Sequence, residues 1–203
     1  MRRSATARQI GLVCRAVIFL GAVGLAASAL DQPRDPARGA VKAKACEACH
    51  GTPERAPLPA TPWLAGQQND FLEAQMFLFR EGLREAPQMA GVLKGVTDYD
   101  FLDLGAYFSR QTPPRVEGKR NPDLHARGAK IAQAMGCGTC HLKDYRGQKH
   151  LPRIAGQRED YLAATMKAYR DNKRAGSDTS MNGILYKVPD GDIDALAHFL
   201  AYQ

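Results

Sequence analysis

A cysteine pair followed directly by histidine occurs twice in this chain, as Cys46-Glu47-Ala48-Cys49-His50 and as Cys137-Gly138-Thr139-Cys140-His141. No other feature narrows the possible folds so far. Two thiols three positions apart lie on one turn of helix, where each can add across one vinyl group of the same porphyrin. The adjacent histidine then reaches the iron as its proximal ligand. Each copy is therefore the attachment sequence of a c-type haem. The pair predicts two covalently attached haem c groups, one on Cys46, Cys49 and His50 and one on Cys137, Cys140 and His141. A shared four-cysteine zinc site would have to close a loop of nearly ninety residues between Cys49 and Cys137, unlike the compact spacing of zinc ribbons. A thioredoxin-like centre needs a βαβ context, and the sequence offers none. Neither rival requires histidine after the second cysteine.

The N-terminus fits an exported haem protein. Arg2, Arg3 and Arg8 make a positive n-region, residues 16–27 are an apolar run, and Ala27-Ser28-Ala29 resembles a cleavage site. Residues 1–29 are thus expected to be a signal peptide and the protein to be periplasmic. Arg15 interrupts the apolar stretch, which weakens a membrane-spanning reading, and an uncleaved N-terminal anchor is the alternative. Export suits the cofactor, because haem c is attached after translocation. The fifth cysteine, Cys14, falls inside the signal. The mature chain is left without a spare thiol, so no disulfide and no cysteine-ligated iron is expected.

The remaining length, about 174 residues, is divided by an internal repeat. Pro62-Trp63-Leu64-Ala65-Gly66-Gln67 recurs as Pro152-Arg153-Ile154-Ala155-Gly156-Gln157. Leu72, Met76, Phe79 and Arg80 recur as Leu162, Met166, Tyr169 and Arg170. Met89, Gly91, Leu104 and Tyr107 recur as Met181, Gly183, Leu196 and Phe199. A proline-rich stretch of mixed charge lies between the copies. These observations set the domains at 30–112 and 123–203, joined by a linker at 113–122. Both halves read as helical and lack any period-two stretch, which predicts an all-α fold. Helices are expected to lead into each haem motif, to follow Leu72, Met76, Phe79 and Leu83 with their counterparts, and to follow Phe101, Leu104, Tyr107 and Phe108 with theirs. Thr97 and Asp100 resemble a capping box at the head of the last of these in the first half. A domain of some eighty residues has a small core, and the porphyrin supplies apolar mass that the chain lacks.

Low-spin haem c takes a second axial donor, and a thioether favours the ferrous state. Met89 lies 39 residues after His50 and Met181 lies 40 after His141, both in irregular stretches ahead of the last helix of their half. They are the expected metal ligands opposite His50 and His141. Met76 and Met166 fall on apolar stripes and read as pocket wall or core, and Met135 reads as local packing. His125, His150 and His198 have no histidine counterpart in the first half and read as surface or capping residues. Pro62 and Pro152 follow the proximal histidines at 12 and 11 residues. A carbonyl fixed there can accept the histidine Nδ1–H and orient the ring.

On the two Cys-x-x-Cys-His motifs, the Pro-x-(Leu/Ile)-Ala-Gly-Gln turn and the Met-x-Gly segment before an Asp-rich helix, the chain resembles the diheme class I cytochromes of the cytochrome c4 family. The resemblance spans essentially the whole mature sequence. It implies two tandem cytochrome c-like domains, each wrapping one covalent haem, with His50 and Met89 on one iron and His141 and Met181 on the other. It also implies haem propionates meeting between the domains and a periplasmic shuttle toward a terminal oxidase. One departure is that Gly51 follows the first histidine whereas Leu142 follows the second.

Charge narrows the partners. Formal net charge is +7, but four basic residues and no acids lie in the signal, leaving about +3. Residues 30–118 carry a net −2 and residues 119–203 a net +5, with Lys143, Arg146, Lys149 and Arg153 grouped after the second motif. Nucleic acid is not an expected partner outside the cytoplasm. A basic loop beside a haem edge suits an acidic redox protein. The expected partners are a donor such as a quinol-oxidising complex or dehydrogenase and an acceptor such as a terminal oxidase, with peripheral membrane association also open. An electron carrier is the main functional reading, with no catalytic residues. The alternatives are a cytochrome subunit of a dehydrogenase such as flavocytochrome sulfide dehydrogenase, and a catalytic diheme cytochrome of peroxidase type.

Overall fold

The computed structural model describes residues 33–116, 118–174 and 179–203. The expected signal peptide and Cys14 lie outside the described residues. Two Xaa-Pro steps open the two halves. Asp35 accepts hydrogen bonds from the Ala37 and Arg38 N–H groups and caps α1 (Pro36–His50), while Asn121 does the same for Asp123 and Leu124 at the head of α4 (Pro122–Ala134). Proline at the first helical position loses no bond, because that N–H has no partner within the helix. In the first half, α2 (Asn69–Arg80), a 3₁₀ turn (Pro87–Met89) and α3 (Asp98–Arg110) follow. In the second, α5 (Cys137–His141), α6 (Glu159–Arg170), α7 (Ser180–Leu185) and α8 (Asp190–Ala201) follow. Thr97 and Asp100 form the expected capping box, each side chain binding the other's backbone N–H.

The principal packing in each half is between its first and last long helices, α1 on α3 and α4 on α8. Glycine makes the approach possible. A Cβ on Gly39 would lie 2.1 Å from the Asp103 carbonyl oxygen, and one on Gly128 would lie 2.1 Å from that of Ala195. Around these crossings Ala43, Leu72, Leu104 and Phe108 form the core of the first half. A larger cluster including Leu162, Met166, Leu185, Ile193 and Leu196 forms that of the second. Among the described residues there is no named strand, only isolated bridges Thr52–Arg55 and Gln148–Leu151.

Two expectations are corrected. Leu83 does not continue the second helix, which stops at Arg80; it is exposed in the following turn. The helix leading into the second motif is not continuous either. It ends at Ala134, Gly136 takes a left-handed conformation at φ 69°, and Cys137–His141 forms a separate turn. The first motif, by contrast, is the end of one 15-residue helix.

The halves are joined by hydrogen bonds between equivalent turns. Gln67 Nε2 donates to the Arg153 carbonyl at 2.9 Å, and the Arg153 N–H donates to Gln67 Oε1 at 2.7 Å. Gln157 Nε2 donates to the Trp63 carbonyl at 3.0 Å, and the Trp63 N–H donates to Gln157 Oε1 at 2.8 Å. Gln68 also reaches the Arg146 carbonyl, Arg158 reaches that of Pro57, and Asp160 accepts from the Ala60 N–H.

Candidate haem sites

His50 and His141 end the helical turns that carry the cysteines, so each imidazole leaves its helix beside both thiols. His50 Nδ1 lies 2.9 Å from the Pro62 carbonyl oxygen and His141 Nδ1 lies 2.9 Å from that of Pro152. A carbonyl only accepts, so Nδ1 carries the proton and Nε2 keeps an open lone pair. Burial lowers both histidines from their ordinary value, and the proline carbonyls partly oppose it. The neutral ring that results is the form that binds a metal. His141 is 7% exposed and His50 somewhat more.

None of the four motif cysteines is paired in a disulfide. Cys49 and Cys140 are exposed, whereas burial pushes the Cys46 and Cys137 thiols up. Glu47, between the first two cysteines, accepts from the Tyr107 hydroxyl at 2.7 Å and fixes the motif to α3. No group of three or more His, Cys, Asp or Glu side chains converges on an ion site among the described residues.

Met89 closes the 3₁₀ turn and Met181 is the second residue of α7, so Met181 lies in a short helix and not in an irregular stretch. Both are partly buried. Met181 and Cys137 border the same cluster, together with Met135; Met89 is not among the residues packed on the first cluster, although Cys46 and Met76 are. Met166 is 7% exposed inside the second core. Matching arginines close the methionine segments. Arg80 Nη1 donates to the Val96 carbonyl at 3.1 Å and Arg170 Nη1 to that of Val188 at 3.1 Å, each also pairing with an aspartate at the head of the next helix. Two thiols, one neutral imidazole and one thioether per half make a donor set that suits covalent low-spin haem.

The other histidines separate. His150 is exposed, whereas His198, read as a surface or capping residue, is 4% exposed and so does not lie at the surface. Its Nε2 accepts from the Asn121 N–H at 2.9 Å and its Nδ1 donates to Glu159 at 3.0 Å, tying α8 to the heads of α4 and α6. His125 packs edge-on against Phe199. The basic loop is also smaller than its composition suggests. Lys143, Arg146 and Lys149 are exposed, but Arg153 is partly buried and its backbone is taken up by Gln67. Through Gln68 and Arg146 the loop is attached to the first half, so its charge lies at the seam between the halves.

Sequence reasoning missed three polar groups. Gln67 and Gln157 were signalled by their recurrence, yet nothing in one chain said that each serves the opposite copy. Asp103 carries no sequence signal, being one acid among several in α3. At the interface Arg84 stacks on Phe79 at 4.3 Å and reaches the Tyr161 hydroxyl at 3.4 Å. Burial pushes the Tyr161 phenol up, but the charges and hydrogen bonds of Arg174 and Arg84 outweigh it and hold it at about 8.

The family model described as cytochrome c matches residues 125–203. Cytochrome c4 of Pseudomonas aeruginosa is 34% identical over 200 residues, covering 93% of this chain and 96% of the relative. A protein of Thiomonas intermedia described as a thiosulfate dehydrogenase electron acceptor is 29% identical over 202 residues, covering 93% of this chain and 89% of the relative. The crystal structure of reduced recombinant cytochrome c4 from Pseudomonas stutzeri matches with a TM-score of 0.75 at 30% identity, over 83% of this chain and 98% of that one.

Proposed function

The chain belongs to the cytochrome c4 family of diheme electron-transfer cytochromes, with two tandem cytochrome c domains and two covalent haem c groups, and from that premise we propose how it holds them and what it serves. Cys46, Cys49 and His50 hold the first haem and Cys137, Cys140 and His141 the second. Met89 and Met181 complete the two irons. The domains are residues 30–112 and 123–203, joined by the linker at 113–122, with residues 1–29 removed on export to the periplasm. Among the described residues no helix is long and apolar enough to cross a membrane.

Haem c supplies a reversible one-electron ferric–ferrous couple. The chain's own part is to hold each imidazole in one tautomer and orientation and to offer a thioether, Met89 or Met181, that would hold the iron with it. With an imidazole and a thioether of the chain holding each iron, no donor position would be left for a substrate, and the protein would serve as an electron carrier and not an enzyme. It takes electrons from a respiratory donor, such as a quinol-oxidising complex, and passes them toward a terminal oxidase. The observation that carries the reading is the duplicated histidine–proline bond at 2.9 Å, which leaves Nε2 free in both halves. A dehydrogenase as donor is a second reading, favoured by the similarity to a thiosulfate dehydrogenase electron acceptor.

The test is the weak near-infrared sulfur-to-iron band of the ferric protein. Met89→Ala and Met181→Ala should each remove about half of it and lower one potential, because a thioether favours the ferrous state. Met76→Ala and Met166→Ala should leave it intact. A full band in Met89→Ala, or rapid stoichiometric carbon monoxide binding to one ferrous haem of the native protein, would overturn the assignment.

A further inference from the structure

The glutamines that join the halves act on particular peptide groups. The carbonyl that accepts His50 Nδ1–H belongs to Pro62, and the N–H of that same peptide unit is carried by Trp63. That N–H donates to Gln157 Oε1 at 2.8 Å, from the opposite half. The arrangement is repeated with the halves exchanged. His141 Nδ1–H is accepted by the Pro152 carbonyl, and the N–H of that peptide, on Arg153, donates to Gln67 Oε1 at 2.7 Å. In both cases the glutamine Nε2 grips the next carbonyl, so the amide pairs with both backbone groups of one residue.

Each glutamine is itself held firmly. Gln67 and Gln157 are 6% and 7% exposed. Their turns are fixed to the last helix of their own half, by the Gly66 N–H to the Phe108 carbonyl at 2.8 Å and the Gly156 N–H to the Leu200 carbonyl at 2.9 Å. The Oε1 atom of each also accepts from the next backbone N–H in its own chain segment, on Gln68 or Arg158.

We propose that Gln157 is a positioning residue for His50 and Gln67 for His141, so that each half sets the proximal ligand of the other. The route has two links. A peptide whose N–H is engaged is polarised, and its carbonyl becomes a better acceptor. A better acceptor draws the imidazole Nδ1 proton more strongly, makes Nε2 more basic and favours the ferric state. The glutamine also fixes the peptide plane, and with it the angle at which the ring is held. The two sites are therefore coupled through short crossed hydrogen-bond chains, each running from a glutamine of one half through a single peptide unit to the histidine of the other.

The inference rests on His50 and His141 being the iron ligands, and its test separates the two. In the holoprotein, hyperfine-shifted proton resonances of the two ferric haems are assigned with Met89→Ala and Met181→Ala, and each midpoint potential is followed by titration. Gln157→Met keeps the side-chain volume and removes both arms of the amide. It should raise the potential of the haem on His50 and leave that on His141 unchanged, and Gln67→Met should do the reverse. Gln157→Glu, which retains an oxygen for the Trp63 N–H, should not raise the His50 potential. A shift confined to the haem of the mutated half, or no shift at either haem with both methionine bands intact, would overturn the proposal. So would loss of haem from both Gln157 variants, which would make the glutamine a folding residue alone. Wrong histidine ligation would show instead as a haem whose spectrum is unchanged in His50→Ala or His141→Ala.

Discussion

Asp103→Asn probes the most strongly held carboxylate of the first half. Asp103 is 2% exposed and accepts from the Asp35 N–H at 2.8 Å, from Arg38 Nε and Nη2 at 2.9 and 2.8 Å, and from Lys42 at 2.9 Å. Burial pushes this carboxyl up, but the bonds from Arg38, Lys42 and the Asp35 N–H outweigh it and hold it at about 2. A drop of that size from the ordinary aspartate value corresponds to about 2.6 kcal/mol of pH-linked stability. Arg38 and Lys42 are 37% and 35% exposed, and solvent screening reduces the figure to about 1–2 kcal/mol. Because the folded pKa lies below the unfolded one, the contribution is complete above the ordinary aspartate range near pH 4. It is lost as pH falls through 2. For a chain of this size Asp103→Asn should lower the melting temperature at pH 7 by about 2–8 °C, and the gap should close toward pH 2. The equivalent position in the second half is Ala195, so acid should disturb the Met89 resonances before those of Met181. Thermal melts by circular dichroism, with both haems followed by their hyperfine signals, measure each part. Equal midpoints at pH 7, or a gap that persists undiminished at pH 2, would refute the reasoning.

Gly128→Ala should destabilise the second half by about 2–3 kcal/mol, because the added methyl meets the Ala195 carbonyl oxygen, which α8 cannot withdraw; urea unfolding reads this, and no loss would show that α4 and α8 can separate. Reversing Lys143 and Lys149 to glutamate should slow electron exchange with an acidic partner most at low ionic strength. The effect should fade as the Debye length shortens to roughly 10 Å at 0.1 M, and equal stopped-flow rates at low salt would make the loop a solvated face.

Much of the molecule was legible because its constraints are local. The Thr97–Asp100 pair and the apolar spacing of Leu72, Met76 and Phe79 each act within one or two turns of helix, and both appear where expected. The helix break before Cys137 was less legible, since Met135 and Gly136 stand where α1 runs on through Ala45. A single glycine is compatible with either outcome until packing decides. The burial of His198 and Arg153 was illegible for a related reason. Their surroundings come from segments 39 to 86 positions away, and only the folded chain brings Glu159 to one and Gln67 to the other.

The reciprocal glutamine bonds have the form of an isologous two-fold contact, in which patch i meets patch j while j meets i. Two identical chains would make such a surface on meeting. Here the partners are tethered, and the local concentration supplied by a short tether makes their association independent of dilution. Tethering also frees each copy of the patch to change alone. In a symmetric pair every substitution would be felt twice, at both irons; in this chain it is felt once. Trp63 in one copy against Arg153 in the other shows that divergence on the very residue each amide grips. One chain can thus keep a shared architecture and still hold its two redox centres at unequal set points.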